Sequence, residues 1–358
     1  MDRCGMGVPY GLAMQVVMND WRLRKDAAVN KKRMNERMEN KKNIVILDAF
    51  TTDQGQLSWL ELERMAQVTV YERTRPDEVI DRCREADLVL TNKVQVGAKE
   101  MEALPRLKYI GVLATGYNVV DVAEAARRGI VVTNIPAYST DSVAQMVFAH
   151  LLNIVGRTDH YARENREGRW TRSQDFCYLD HRPLELAGKR MGIVGLGHTG
   201  MATARIALAF GMKVVAFTSR RQEDLPEGIT KGSMDDVFAT CDVVSLHCPM
   251  DDSTFHLVDR ERIATMKPHA ILINTGRGPL VDDADLADAL NHGRLAAYGA
   301  DVLTVEPPAA DNPLLRARNC YLTPHIAWAT EEARQRLVKA CVENVRAFLE
   351  GEPIHQVN

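Results

Sequence analysis

Apolar residues in this chain fall into short runs rich in β-branched side chains, separated by stretches with a helical period. Ile44-Val-Ile-Leu47, Val68-Thr-Val-Tyr71, Leu88-Val-Leu90, Tyr109-Ile-Gly-Val-Leu113 and Ile130-Val-Val-Thr133 read as strands, with helices at 59–65, 76–84 and 119–128 between them. Strands alternating with helices predict a doubly wound parallel sheet, and nearly continuous apolar strands predict one covered on both faces. Residues 141–157 then predict an amphipathic helix, with Val143, Met146, Val147, His150, Leu151 and Ile154 near one face. A second series follows, with strands at 192–194, 214–217, 243–246, 270–273, 298–300 and 321–323 and helices at 202–210, 259–266 and 282–291. The last helix, 331–349, stops before Gly351 and Pro353. The expected fold class is α/β, with two doubly wound parallel-sheet domains.

Residues 1–42 break this pattern. They are polar and Met-rich without a sustained core-facing period, so they read as an extension outside the fold. Tyr10 to Met18 is interrupted by Gln15, which argues against a secretory signal; the absence of serine and the several acids argue against a transit peptide.

The 358 residues suffice for two domains of ordinary size, and no apolar run approaches the roughly 20 residues of a membrane-spanning helix. Seven cysteines without C-x-x-C pairing argue against a zinc site and a disulfide framework, and fit a reducing cytoplasm. No His/Cys spacing suggests a metal site. Net charge is −3, but residues 1–42 carry +5 and the remainder −8. An acidic body is a poor nucleic-acid binder, so an anionic ligand needs local positive charge.

The candidate chemistry begins at Met191-Gly-Ile-Val-Gly-Leu-Gly-His-Thr-Gly200. A strand runs into Gly195, Gly197 and Gly200 at G-x-G-x-x-G spacing and then into a helix, the arrangement that seats a dinucleotide pyrophosphate on a helix N-terminus. Further on, Arg277, Glu306 and His325 each follow a predicted strand, and ligands of such sheets bind beyond the strands' carboxyl ends.

On Gly195-Leu-Gly-His-Thr-Gly200, His247-Cys-Pro-Met, Ile273-Asn-Thr-Gly-Arg-Gly-Pro-Leu-Val-Asp282, Ala300-Asp-Val-Leu-Thr-Val-Glu-Pro307, Thr323-Pro-His-Ile-Ala-Trp328 and the early loop Ala114-Thr-Gly-Tyr-Asn118, the chain resembles the D-isomer-specific 2-hydroxyacid dehydrogenases. It is most similar to their glycerate dehydrogenase/hydroxypyruvate reductase branch. The resemblance covers nearly everything from residue 43 onward. It implies a Rossmann nucleotide domain, 141–324, inserted into a flavodoxin-like substrate domain, 43–140 plus 325–358, with a hinge near 136–142 and 324–328 and a ligand cleft between the domains. It further implies a homodimer and hydride transfer between a nicotinamide cofactor and a small 2-keto acid, hydroxypyruvate/D-glycerate first and glyoxylate second.

Within that resemblance His325 would give a proton to the carbonyl oxygen, Glu306 would fix its tautomer and favour the imidazolium, and Arg277 would polarise the carbonyl and bind the carboxylate. Lys93, Val94, Thr115, Gly116 and Trp328 are the other expected substrate contacts. The expected cofactor contacts are Gly195, Leu196, Gly197, His198, Thr199, Gly200, Thr218, Ser219, Arg220, His247, Pro249, Thr254, Thr275, Gly276 and Asp301, the last near the nicotinamide carboxamide. An NAD site usually has an acid at the end of its second strand; here Phe217-Thr-Ser-Arg-Arg221 offers Thr218 instead, and Arg220 or Arg221 suits a 2′-phosphate, so NADPH is favoured over NAD. The reading from another class is a nicotinamide-nucleotide-sensing corepressor on the same scaffold, which no charged or low-complexity C-terminal tail supports. Met38 is read as the natural start, directly before the first strand. A chain beginning there is expected to keep the activity and melting temperature of the full sequence, and a loss of either would refute that start.

Overall fold

The computed structural model describes residues 41–53 and 57–358. The expected N-terminal extension, apart from Lys41 and Lys42, and the proposed start at Met38 therefore lie outside the described residues. The chain divides into two compact units, one of residues up to Pro136 together with Val338–Asn358, the other Ala137–Leu337. The second division falls inside the last helix, Glu331–Leu349, rather than at the 324/325 boundary read from the sequence. Residues 325–337 stay with the second unit through specific bonds there. Asp301 accepts the Ala327 N–H, Ser142 and Thr330 share a hydroxyl bond, and Arg336 donates to the Tyr138 carbonyl.

The first unit is built on five parallel strands, β1 (Asn43–Ile46), β2 (Gln67–Val70), β3 (Leu88–Thr91), β4 (Tyr109–Val112) and β5 (Val131–Thr133), in the order β2-β1-β3-β4-β5. That is the flavodoxin-like order. Central β3 and β4 are buried throughout, which is why they read as unbroken apolar runs. Val45, Val89, Ile110 and Val132 meet helix residues such as Met101 and Ala125 in one core. The C-terminal segment closes this unit: Phe348 lies 4.7 Å from the Tyr109 ring, Asn344 bonds to Thr133 and Asn134, and the Val357 N–H donates to Val132. An outer strand is thereby covered instead of left open to pairing.

Seven parallel strands form the second unit: β6 (Arg190–Val194), β7 (Lys213–Phe217), β8 (Ile229–Lys231), β9 (Val243–Leu246), β10 (Ile271–Asn274), β11 (Ala297–Ala300) and β12 (Cys320–Leu322). Their order is β12-β11-β10-β9-β6-β7-β8, with Met191 level with Val243 and Val214 on either side of β6. The order reverses between β6 and β9, which is the switch point of a dinucleotide-binding sheet. One face packs the helices Thr140–Gly156 and His198–Ala209 through Val147, Leu151, Ala204 and Ala207. The other packs Met234–Thr240, Arg260–Thr265 and Asp283–Asn291 through Phe238, Ile263 and Leu286. Both faces being covered, the two-domain α/β reading holds. The sequence pattern did not show β8 or the helices Ala98–Ala103, Thr158–Arg166 and Met234–Thr240. Strand β8 has one buried residue in three, and no residue of Thr158–Arg166 is buried, so neither carries an apolar signal.

Candidate functional site

The glycine-rich turn leaves β6 and enters the helix His198–Ala209 with the three glycines in different roles. Gly195 has φ +94°, and a side chain there would strike the backbone of His247 and Cys248. A Cβ on Gly200 would lie 2.1 Å from the Gly195 carbonyl oxygen, so the helix packs this closely only because no side chain intervenes. Gly197 faces open space. The amides of Leu196, Gly197, His198 and Thr199 donate to no backbone carbonyl among the described residues, which leaves a row of N–H groups at the helix start. This cradle fits a pyrophosphate. A second observation agrees: the Thr275 hydroxyl, at an expected cofactor position, is buried without a partner among the described residues.

At the end of β7 Thr218 accepts the Arg220 N–H at 3.3 Å, beside exposed Ser219. The two arginines differ. Arg221 is tied to Asp224 at 3.0 Å and to Glu223 at 3.3 Å, whereas the Arg220 guanidinium has no ion pair among the described residues. Beyond β9, His247 bonds to Ser245 at 2.9 Å, and desolvation pushes its imidazole down to about 4, so it stays neutral. Thr254 spends its hydroxyl inside its own turn, donating to the Pro249 carbonyl at 2.8 Å and accepting the Asp251 N–H.

Strands β10, β11 and β12 are adjacent, and their carboxyl ends carry the expected reacting side chains. Arg277 is exposed, and its guanidinium donates to the Gly276 carbonyl at 2.8 Å. Its loop is set by Asn274, a fully buried side chain that accepts the Gly276 N–H at 3.0 Å and donates to the Arg277 carbonyl at 2.9 Å. Gly278 then presses on the Leu303 backbone so closely that any Cβ would overlap it, which places the Arg277 loop against the loop leading to Glu306. Glu306 accepts the Leu303 N–H through Oε1 at 3.0 Å and holds His325 Nδ1 through Oε2 at 2.5 Å. The His325 side chain keeps 28% of its surface exposed, enough for a ligand to reach its other nitrogen.

His325 itself has φ +55°, a backbone state that costs a non-glycine residue about 1–3 kcal/mol and persists only where neighbours impose it. Trp328, expected among the substrate contacts, donates its indole N–H to the His325 carbonyl at 2.9 Å. Asp301, expected beside the cofactor, has its carboxylate on the same loop: it accepts Ile326 and Ala327 N–H groups at 2.9 and 2.7 Å and the Thr323 hydroxyl at 2.6 Å.

In the first unit Asp48, at the end of β1, accepts the N–H groups of Asn92, Lys93 and Val94 at 2.8, 2.6 and 3.2 Å. The N–H of Val94, an expected substrate contact, is therefore already drawn to a buried carboxylate. The amides of Thr115 and Gly116 have no backbone acceptor among the described residues, while the Thr115 hydroxyl donates to Ile135 and its carbonyl accepts from Asn134. Asp48 and Asn274 are the residues that the sequence reading left without a task. Asn274 lay inside a quoted motif, and Asp48 closes the first apolar run.

The depressed His247 has a consequence for stability. Below its ordinary value of 6.5 the unfolded chain takes up a proton that the folded one refuses, so stability is full above about pH 6.5 and falls as pH drops toward 4. The melting temperature of His247→Gln is expected to fall less over that interval than that of the unaltered chain. Parallel curves would show that His247 is not desolvated.

Similarity to known proteins is extensive. The family model of the D-isomer specific 2-hydroxyacid dehydrogenase, NAD binding domain, matches residues 148–327. The hydroxypyruvate reductase of Blautia hydrogenotrophica is 44% identical over 88% of this chain and 99% of its own length. The glycerate dehydrogenase of Methylorubrum extorquens is 38% identical over 87% and 98%. Among solved structures, the NADPH-dependent glyoxylate/hydroxypyruvate reductase of Sinorhizobium meliloti, in complex with NADP and malonate, superposes with a TM-score of 0.76 at 31% identity, covering 89% of this chain and 97% of that one. Among the described residues no helix is long and apolar enough to cross a membrane. The chain therefore belongs to the D-isomer specific 2-hydroxyacid dehydrogenase family of NAD(P)-dependent oxidoreductases.

Proposed function

We propose that the protein reduces hydroxypyruvate to D-glycerate with NADPH, with glyoxylate as a second substrate. The observation that carries this reading is the His325–Glu306 pair at 2.5 Å, which joins the loops leaving β12 and β11, with Arg277 beyond β10, the next strand. A nicotinamide cofactor held on the Gly195–Gly200 cradle would supply the hydride for the carbonyl carbon. His325 holds Nδ1 on Glu306, so Nε2 is the nitrogen that gives its proton to the carbonyl oxygen. Glu306, itself anchored by the Leu303 N–H, keeps the ring in that orientation. Arg277 meets the 2-keto acid with a planar two-donor fork, suited to a carboxylate and to the oxygen on which charge grows. In the first unit, the Thr115 and Gly116 amides, without a backbone acceptor among the described residues, are donors of the kind a carboxylate takes.

NADPH is preferred because Thr218 leaves no carboxylate to repel a 2′-phosphate and Arg220 has no competing ion pair among the described residues, whereas Arg221 is engaged by Asp224 and Glu223. Hydroxypyruvate is placed before glyoxylate because two relatives that match over 88% and 87% of this chain are named hydroxypyruvate reductase and glycerate dehydrogenase. One added carbon with its hydroxyl shifts such a preference by only about 1–3 kcal/mol, so both substrates fit. The protein works as a homodimer through the second unit, where Leu152, Trp170, Phe176 and Leu179 expose apolar surface. Its six free cysteines among the described residues suit the reducing cytoplasm.

Oxidation of NADPH and NADH by hydroxypyruvate tests this directly, with His325→Ala beside the unaltered enzyme. Turnover favouring NADPH is expected, with a loss of roughly 10²–10⁴ in kcat in the variant and little change in NADPH affinity. Near-normal turnover by His325→Ala would remove it from the reaction, and preference for NADH would overturn the role of Arg220. Sedimentation should give twice the chain mass, and a single-chain mass would refute the dimer.

A further inference from the structure

His150 is a buried histidine, 5% exposed, on the apolar face of the helix Thr140–Gly156, where nothing in the proposed chemistry uses it. Its seat is fixed from below. A Cβ on Gly299 of β11 would come within 2.9 Å of the His150 Cβ, so the helix lies on the strand at a distance that only glycine permits. Nε2 of His150 lies 3.1 Å from the Thr323 hydroxyl, and that hydroxyl donates its one proton to Asp301 at 2.6 Å. Thr323 must then accept from His150, which places the ring proton on Nε2. Burial lowers the basicity of this imidazole, in keeping with a neutral ring that donates once.

The same Asp301 carboxylate collects the N–H groups of Ile326 and Ala327, on the C-terminal side of His325, while the His325 N–H donates to the Thr323 carbonyl on the other side. A directed chain of hydrogen bonds thus runs from the helix, through Thr323 and Asp301, to both flanks of a residue held at φ +55°.

We propose that His150 and Thr323 are positioning residues for His325. They fix the Asp301 carboxylate, which in turn holds the His325 loop in the left-handed turn that keeps the imidazole on Glu306. This inference rests on the reading of His325 as the proton donor. A buried hydrogen-bond network whose members are all satisfied rigidifies what it holds, and a shift of about 1 Å in a catalytic group costs up to about 100-fold in rate. Without the Thr323 hydroxyl, His150 loses its acceptor and Asp301 one of three donors.

The test compares Thr323→Val, Thr323→Ser, His150→Leu and His150→Gln with the unaltered enzyme and His325→Ala, with hydroxypyruvate and NADPH. Thr323→Val is expected to lower kcat roughly 10–100-fold with NADPH affinity within about twofold. Its solvent deuterium isotope effect on kcat should rise, because proton delivery has become limiting. Thr323→Ser, which restores the hydroxyl, should recover most of the rate. His150→Gln, which keeps a donor, should exceed His150→Leu, and this pair carries the test if Thr323→Val does not fold. Near-normal kcat in Thr323→Val beside a crippled His325→Ala would overturn the proposal. So would parallel losses of kcat and NADPH affinity with no rescue by serine, since the residues would then act on cofactor or fold. An active His325→Ala would instead overturn the underlying reading.

Discussion

The parallel register of the second sheet is the constraint on which the site depends. Every strand ends at the same edge, so residues far apart in sequence are delivered side by side. Strands β10, β11 and β12 are neighbours, and the chain leaves them toward Arg277, Glu306 and His325 in turn. The fixed edge explains how a 2.5 Å bond forms between Glu306 and His325 across 19 positions of sequence. It also places the glycine cradle, at the end of β6, on the edge where the sheet order reverses.

An edge alone does not set side-chain geometry, because the loops leaving it are short of backbone partners. Three buried polar side chains supply them. Asn274 ties the Arg277 loop from both sides, Asp301 gathers the His325 loop, and Asp48 gathers the loop after β3 in the first unit. Each sits at or just beyond a strand end and satisfies N–H groups that would otherwise be orphaned. The proposed reacting groups can remain partly exposed because the groups that fix them are buried.

Much of this was legible in the sequence. Strands such as Leu88-Val-Leu90 and the turn Gly195-Leu-Gly-His-Thr-Gly200 report their surroundings through composition, since burial on both faces demands unbroken apolar runs and close packing demands glycine. Short elements such as β8 were not legible, because one buried residue in three leaves no period to read. Nor were the supporting contacts. That Asp301 turns to Thr323, Ile326 and Ala327, that Val94 is drawn to Asp48, and that Trp328 braces the His325 carbonyl all depend on tertiary positions that no local pattern encodes. Arg220 and Arg221 look alike in the sequence for the same reason; only the fold shows that the carboxylates of Asp224 and Glu223 engage Arg221.

The central claim is that Glu306 makes His325 an effective proton donor. Its most direct test is the steady-state rate of hydroxypyruvate reduction by Glu306→Gln, which keeps the size of the side chain and a hydrogen-bonding group but removes the charge. The account predicts a fall in kcat of at least about tenfold, since charge-assisted hydrogen bonds are roughly twice as strong as neutral ones, with the KM for NADPH unchanged. A Glu306→Gln enzyme with undiminished kcat would contradict it.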